Sequence, residues 1–249
     1  MRAAIYGLIL GLAAMAADGP ARAETDYGHL VAYLDWTSDY RYAGASEGNR
    51  QPEIQGGLHW LGPDGFYAGV FATGVRFNDF RKTSYEVDAY AGRKFAVGAD
   101  TLDLEALYGM YPNSAGHPSY LPPGAILAGY DFPELSLTYT HPIGALTLSG
   151  KAEIEPRAES HGGVLLLAGG GASYAARDWL TLEADAYGQS ARSGPRGLLW
   201  DVGASAHIGW QWRFDLKYAG TTAATARCFG TNWCAPGVVA QVTYTFAIF

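Results

Sequence analysis

The chain switches between an apolar and a polar face at every second residue, in segments of about 8 to 12 residues, and this period constrains the fold more than any other feature. From Thr101 to Tyr111, Leu102, Leu104, Ala106, Tyr108 and Met110 share one face, and Thr101, Asp103, Glu105, Gly109 and Tyr111 share the other. Only Leu107 interrupts the pattern. Leu146, Leu148, Ala152 and Ile154 lie opposite Thr147, Ser149, Lys151, Glu153 and Glu155. Leu180, Leu182, Ala184 and Ala186 oppose Thr181, Glu183 and Asp185, while Trp212, Phe214, Leu216 and Tyr218 oppose Arg213, Asp215 and Lys217. Apolar spacing at i, i+3, i+4 and i+7 persists nowhere over the length of a real helix, so an all-β protein is expected. The segments exceed the roughly 5 to 6 residues typical of strands in soluble sheets and match the ~9 to 11 of a tilted membrane-crossing strand.

About twelve such segments are expected from the alternation. They run near 29 to 42, 52 to 61, 66 to 77, 85 to 96, 101 to 111, 132 to 141, 145 to 156, 163 to 176, 179 to 188, 198 to 209, 212 to 220 and 237 to 249. Their connections alternate in length. Gly62 to Gly65, Val97 to Asp100, Pro142 to Gly144, Arg177-Asp178 and Gly209 to Gln211 are tight. Gly44 to Gln51, Asn78 to Ser84, Pro112 to Asp131, Arg157 to Gly162, Gln189 to Gly197 and Thr221 to Pro236 are longer and rich in Gly, Pro, Ser and Asn. Short turns at one end and long loops at the other predict a transmembrane antiparallel up-and-down β-barrel with periplasmic turns and extracellular loops. A soluble sandwich has no reason to alternate in this way.

Composition agrees. Only 16% of the chain is charged while 14% is aromatic, with 33 Gly, and mean hydropathy is near zero. An unfolded chain would be polar and poor in aromatics. A net charge of -7 with no Lys/Arg cluster excludes nucleic acid as a partner. A barrel whose outer wall faces lipid instead of water has little need of surface charge, and outer-membrane lipid is its expected surrounding.

Residues 1-23 have the form of a signal peptide, with Arg2 as the basic region, an apolar stretch from Ala3 to Ala17, and small residues at Ala21 and Ala23. A membrane anchor would need ~20 apolar residues. The barrel is therefore expected over residues 24-249, in the outer membrane of a Gram-negative cell.

Girdles of aromatics flank the apolar band of such barrels. Trp60, Phe66, Tyr67, Trp179, Trp210, Trp212, Tyr244, Phe246 and Phe249 fall near the short-turn ends, and Tyr40, Tyr42, Phe77, Tyr85, Tyr108, Tyr111, Trp200 and Tyr218 near the long-loop ends. The chain ends on an aromatic, although Val242, Tyr244, Phe246 and Ile248 are one position out of phase with Phe249.

The run from Ser38 to Ser46, followed by Gln51-Pro52, Gln55-Gly56-Gly57-Leu58 and Gly65-Phe66-Tyr67-Ala68-Gly69-Val70-Phe71, resembles the proteobacterial TorF-family porins, also called the Gcw_chp family. Glu86 to Gly92 and Tyr108-Gly109-Met110-Tyr111-Pro112 continue the resemblance, which is carried mainly by the N-terminal half. The family pattern has Arg before the Gly of the first motif, where this chain has Ala43. The resemblance implies an outer-membrane barrel and supplies no substrate.

Charges on a membrane strand belong on the inner face, because Lys or Arg at the lipid midplane costs about 2 to 4 kcal/mol. That phasing turns Asp35, Asp39, Arg41, Glu53, Glu86, Asp88, Lys94, Asp103, Glu105, Glu134, Lys151, Glu153, Glu155, Glu183, Asp185, Asp201, Arg213, Asp215 and Lys217 into the lumen as candidate pore-lining residues. Acidic groups dominate them. Arg93 breaks the phase close to an expected membrane interface, where its long side chain can snorkel. An acidic wall attracts cations, so the expected function is passive diffusion of small hydrophilic, cationic solutes. Two alternatives remain open: a closed-lumen structural or adhesive barrel acting through its loops, and an outer-membrane lipid hydrolase.

Cys228 and Cys234 lie in the last long loop of an exported chain and are expected to form a disulfide. Their spacing, with no His nearby, argues against a metal site. Gly203-Ala204-Ser205-Ala206-His207 approaches the G-x-S-x-G pattern without its final Gly and lies mid-strand, where the strained elbow cannot form. Gly169-Gly170-Gly171 lacks a following Lys-Ser/Thr and is no phosphate loop. The six His are scattered without metal-ligand spacing. Neither a catalytic residue nor a cofactor is expected.

Overall fold

The computed structural model describes residues 28–42, 44–77, 83–112, 114, 129–158, 163–191, 196–223, 228 and 231–248. The expected signal peptide, Phe249 and most of the loop from Pro112 to Asp131 lie outside the described residues.

Twelve strands form a closed antiparallel barrel. They are β1 (His29–Thr37), β4 (Glu53–Leu61), β5 (Phe66–Gly74), β6 (Tyr85–Val97), β7 (Asp100–Met110), β8 (Phe132–Ile143), β9 (Leu146–Ala158), β10 (Gly163–Arg177), β11 (Leu180–Ala191), β12 (Gly197–Ile208), β13 (Trp212–Thr221) and β14 (Gly237–Ala247). Between β1 and β4 a small hairpin, β2 (Arg41–Tyr42) with β3 (Ala45–Ser46), stands apart from the wall. Each barrel strand pairs with its neighbour in sequence, and β1 closes the ring against β14 with Asp35 opposite Thr243. Closure leaves no open edge, so every ladder group in the wall has a strand beside it.

The tight turns have a local cause. Gly98 and Gly144 adopt φ of 67° and 61°. A Cβ at either would meet nothing within 4 Å. The left-handed backbone, not lack of space, calls for glycine there, as a hairpin turn matching strand twist requires.

Alternation resolves into two faces as the sequence predicts. On β13, Leu216 is 58% exposed on the outside while its neighbour Asp215 is 6% exposed inside. Leu166, Val202, Ile54 and Val238 are likewise exposed, so the outer surface is a broad apolar one. Leu107, the interruption, packs inward against Tyr111 and Phe132 in the lumen. Arg93 stays outside at the short-turn end, its guanidinium 4.5 Å from the Phe66 ring and 4.8 Å from that of Phe95.

Two expectations are corrected. The first strand ends at Thr37, not residue 42. Ser38 exchanges bonds with Ala240, its amide donating at 2.8 Å and its hydroxyl accepting at 2.9 Å, and the chain then turns into the barrel. Tyr40, Tyr42, Tyr67 and Tyr111, assigned to the girdles, are buried inside. Tyr85, Tyr108, Tyr218, Phe66, Trp179, Trp210 and Trp212 do lie on the exterior.

Candidate functional site

The interior divides into two unlike halves. Along β1 and β4 to β8, aromatic residues at inward positions fill the space: Tyr33, Tyr67, Phe71, Tyr90 and Phe132 form one cluster with Leu107, Tyr40 and Tyr111. Their seats are glycines on neighbouring strands. A Cβ at Gly69 would lie 2.4 Å from the Tyr90 hydroxyl oxygen, so only glycine admits that ring. The Tyr90 and Tyr67 rings also end in polar contacts. Tyr90 Oη lies 2.9 Å from His59 Nδ1, and Tyr67 Oη donates to Asp103 at 2.8 Å and to Glu105 at 3.2 Å. Asp103 and Glu105 are thus held by a phenol hydroxyl, which gives a charge-assisted bond without adding charge.

Loop 1, residues 38–52, folds inward over this half. Tyr40 Oη donates to Glu86 on β6 at 2.7 Å, and Tyr42 Oη donates to Glu153 on β9 at 3.4 Å while its ring stacks on Phe132 at 5.9 Å. Arg41 Nε donates to Asp39 at 2.7 Å, and Ser46 Oγ donates to the other Asp39 oxygen at 2.5 Å. Asp39 and Arg41 are buried, carried by the inserted loop 1 and not by a wall strand.

Along β9 to β13 the inner wall is different. Lys151, Glu183, Asp185, Tyr187, Asp201 and Lys217 at inward positions are all half-buried, as are Gly169, Gly171, Ser173, Thr181, Gly203 and His207. Asp185 on β11 faces Asp201 on β12 in direct register, and accepts from Tyr187 Oη at 3.2 Å. Lys217 Nζ lies 3.0 Å from Glu183 and 3.3 Å from Asp201. Glycine keeps this wall low: a Cβ at Gly171 would lie 1.8 Å from an Asp185 oxygen.

Below this wall Arg213 binds Asp215 through Nε at 2.8 Å and 3.0 Å, and donates from Nη2 to Ser205 Oγ at 3.0 Å. Ser205 Oγ donates in turn to Glu183 at 3.0 Å and closely to Asp215. Among the described residues no hydrogen bond joins Ser205 to His207. The serine serves as a bridge in a charge network, which is not the arrangement of a nucleophile with its base. Asp35 is buried with Gln241 donating to it.

Glu86, Asp88, Glu134 and Glu155 are also buried inside. Carboxylate oxygens of Glu134, Glu153 and Glu155 come within 4.8 Å of one another, but Lys151 Nζ and Tyr42 Oη already converge on Glu153. Cys228 and Cys234 are joined in a disulfide that packs against Ala45 of loop 1.

The phase of the sequence therefore locates the inward residues. It misses which of them touch accessible space and that loop 1 enters the barrel. One signal was available: Tyr33, Tyr67, Phe71 and Tyr90 occupy the same phase as Asp35, Asp88 and Lys94, and aromatics in a polar phase mean a filled half.

A closed 12-stranded antiparallel barrel, apolar outside and charged inside, has the fold of outer-membrane porins. The KdgM porin, solved in complex with disordered oligogalacturonate, is similar at a TM-score of 0.57 and 7% identity, over 88% of this chain and 99% of that one. The NanC porin is similar at a TM-score of 0.52 and 10% identity, over 87% and 98%. An outer-membrane channel from Pseudomonas putida F1 is similar at 0.50 and 11% identity, over 92% and 100%. No curated protein sequence matches. The chain belongs to the Gcw_chp family, whose model, described as a bacterial protein of unknown function, matches residues 22–246. The family description gives neither a porin designation nor the TorF name.

Proposed function

We propose that this protein is an outer-membrane channel for passive diffusion of small hydrophilic solutes, with preference for cations. The half-buried polar wall along β9 to β13 carries this reading: a barrel meant only as a plug would bury that wall as it buries the opposite one. Its charges are Lys151, Glu183, Asp185, Asp201 and Lys217, with Arg213 and Asp215 behind them, and carboxylates hold the majority. Confined in a low-dielectric wall, a carboxylate excess raises the local concentration of cations and repels anions. Asp39, Arg41, Glu86, Asp88, Asp103, Glu105 and Glu153 contribute to the field from the filled half. Loop 1 and the filled half restrict the path, so the solutes are small. Export by a cleaved segment, residues 1-23, and a lipid belt around the barrel complete this picture, with the long loops outside the cell.

The aromatic half and the inserted loop 1 favour a second reading, a closed barrel that acts through its outer loops. Proteoliposome swelling separates the two. The channel reading expects swelling in isosmotic solutions of small zwitterions and sugars, falling off as solute size grows. Swelling no faster than that of empty liposomes would overturn it.

A further inference from the structure

Loop 1 is held inside the barrel by the wall it crosses and, at its outer side, by one other loop. The segment between β13 and β14, closed on itself by Cys228–Cys234, grips it at several points. The Ser46 amide donates to the Trp233 carbonyl at 3.0 Å, and Trp233 Nε1 donates to Asn49 Oδ1 at 2.8 Å. Arg41 Nη2 and Arg50 Nη1 both donate to the Ala235 carbonyl at 3.0 Å, and Arg50 Nη1 reaches the Asn232 carbonyl at 3.3 Å. Ala45 packs on the two half-cystines, and the Trp233 ring lies tilted against Phe77 with centroids 6.5 Å apart. Three backbone carbonyls and one indole therefore fix a hairpin that has only a two-residue ladder of its own. Such a hairpin cannot hold a defined shape unaided. Two 2.9 Å backbone bonds shape the gripping turn: Thr231 turns back on Cys228 inside the ring that the disulfide closes, and Ala235, just past that ring, turns back on Asn232.

We infer that residues 231–235, tied to Cys228 by the disulfide, are a latch that positions loop 1 in the lumen and so sets the size limit of the channel. The inference rests on the proposed channel function, which it deepens. When the latch is intact, Tyr40, Arg41 and Tyr42 narrow the path from the filled half toward the β9 wall. When it is opened, the short hairpin loses its outer anchors and swings toward the mouth, and larger solutes pass. The carboxylates on β11 and β12 remain, so selectivity by charge persists while selectivity by size is lost.

Two readouts on the folded protein test this, one electrical and one chemical. Wild-type protein is compared with the same protein treated with a dithiol reductant after folding, with Trp233→Ala, and with Trp210→Ala as a control on the outer wall. Opening the latch is expected to raise unit conductance by roughly twofold or more. It is also expected to expose the Arg41–Tyr42 bond to trypsin, which cannot reach a 3% exposed Arg41 in the intact protein. Unchanged conductance with Arg41 still protected overturns the latch and leaves the channel reading standing. Cleavage without a change in conductance overturns its role as size limit. Absence of conductance in wild type defeats the channel reading, and with it the size limit, while protection of Arg41 after reduction defeats the latch itself.

Discussion

Glycine 69 shows how one residue fixes the shape of the filled half. Its missing side chain is the space into which Tyr90 leans, and a methyl group there would meet both the phenol and the Leu58 carbonyl, 2.6 Å away. Gly69→Ala is expected to lower stability by about 1–3 kcal/mol, as overpacking does, seen as an earlier unfolding midpoint in denaturant. Ser205 offers a contrasting case. Its hydroxyl sits among Arg213, Glu183 and Asp215, so Ser205→Ala should cost about 1–3 kcal/mol by leaving buried carboxylates short of a donor. The same variant should hydrolyse lipid no differently from wild type. A selective loss of lipid hydrolysis without loss of stability would restore the hydrolase alternative.

At the scale of strands, the two faces differ in what they tolerate. Val202 is 53% exposed near the middle of β12, and Val202→Arg is expected to cost about 2–4 kcal/mol when unfolding is measured in lipid vesicles. A negligible cost there would mean that this surface does not meet lipid. Much of this was legible in advance, because a side chain's face on a strand depends only on its parity. Asp215 and Leu216, or Glu183 and Val202, take their sides from sequence phase and register alone. The end of β1 was not legible. The Asp39-Tyr40-Arg41-Tyr42 run keeps strand-like alternation, yet its contacts lie on β6, β9 and the 231–235 segment, far away in sequence. A local period carries no trace of such partners. Tyr40, Tyr42, Tyr67 and Tyr111 depart from the girdle expectation for the same reason, while Tyr85, Tyr108 and Tyr218 meet it: a girdle and a lumen plug have one composition and differ only in side.

For the molecule as a whole, the same acidic balance acts in two ways. Buried carboxylates of the filled half mostly hold rings and loop 1 in position, whereas Glu183, Asp185 and Asp201 face accessible space. Charge selectivity should therefore follow the second group. Asp185→Asn with Asp201→Asn is expected to reduce cation preference without closing the channel, as read from the reversal potential under a salt gradient. An unchanged reversal potential would move the selective site elsewhere in the barrel. The most direct test of the central claim is single-channel recording of the folded wild-type protein in a planar lipid bilayer across a potassium chloride gradient. The account predicts discrete conductance steps with a reversal potential displaced toward that of potassium. A silent bilayer, or a reversal potential displaced toward that of chloride, would contradict it.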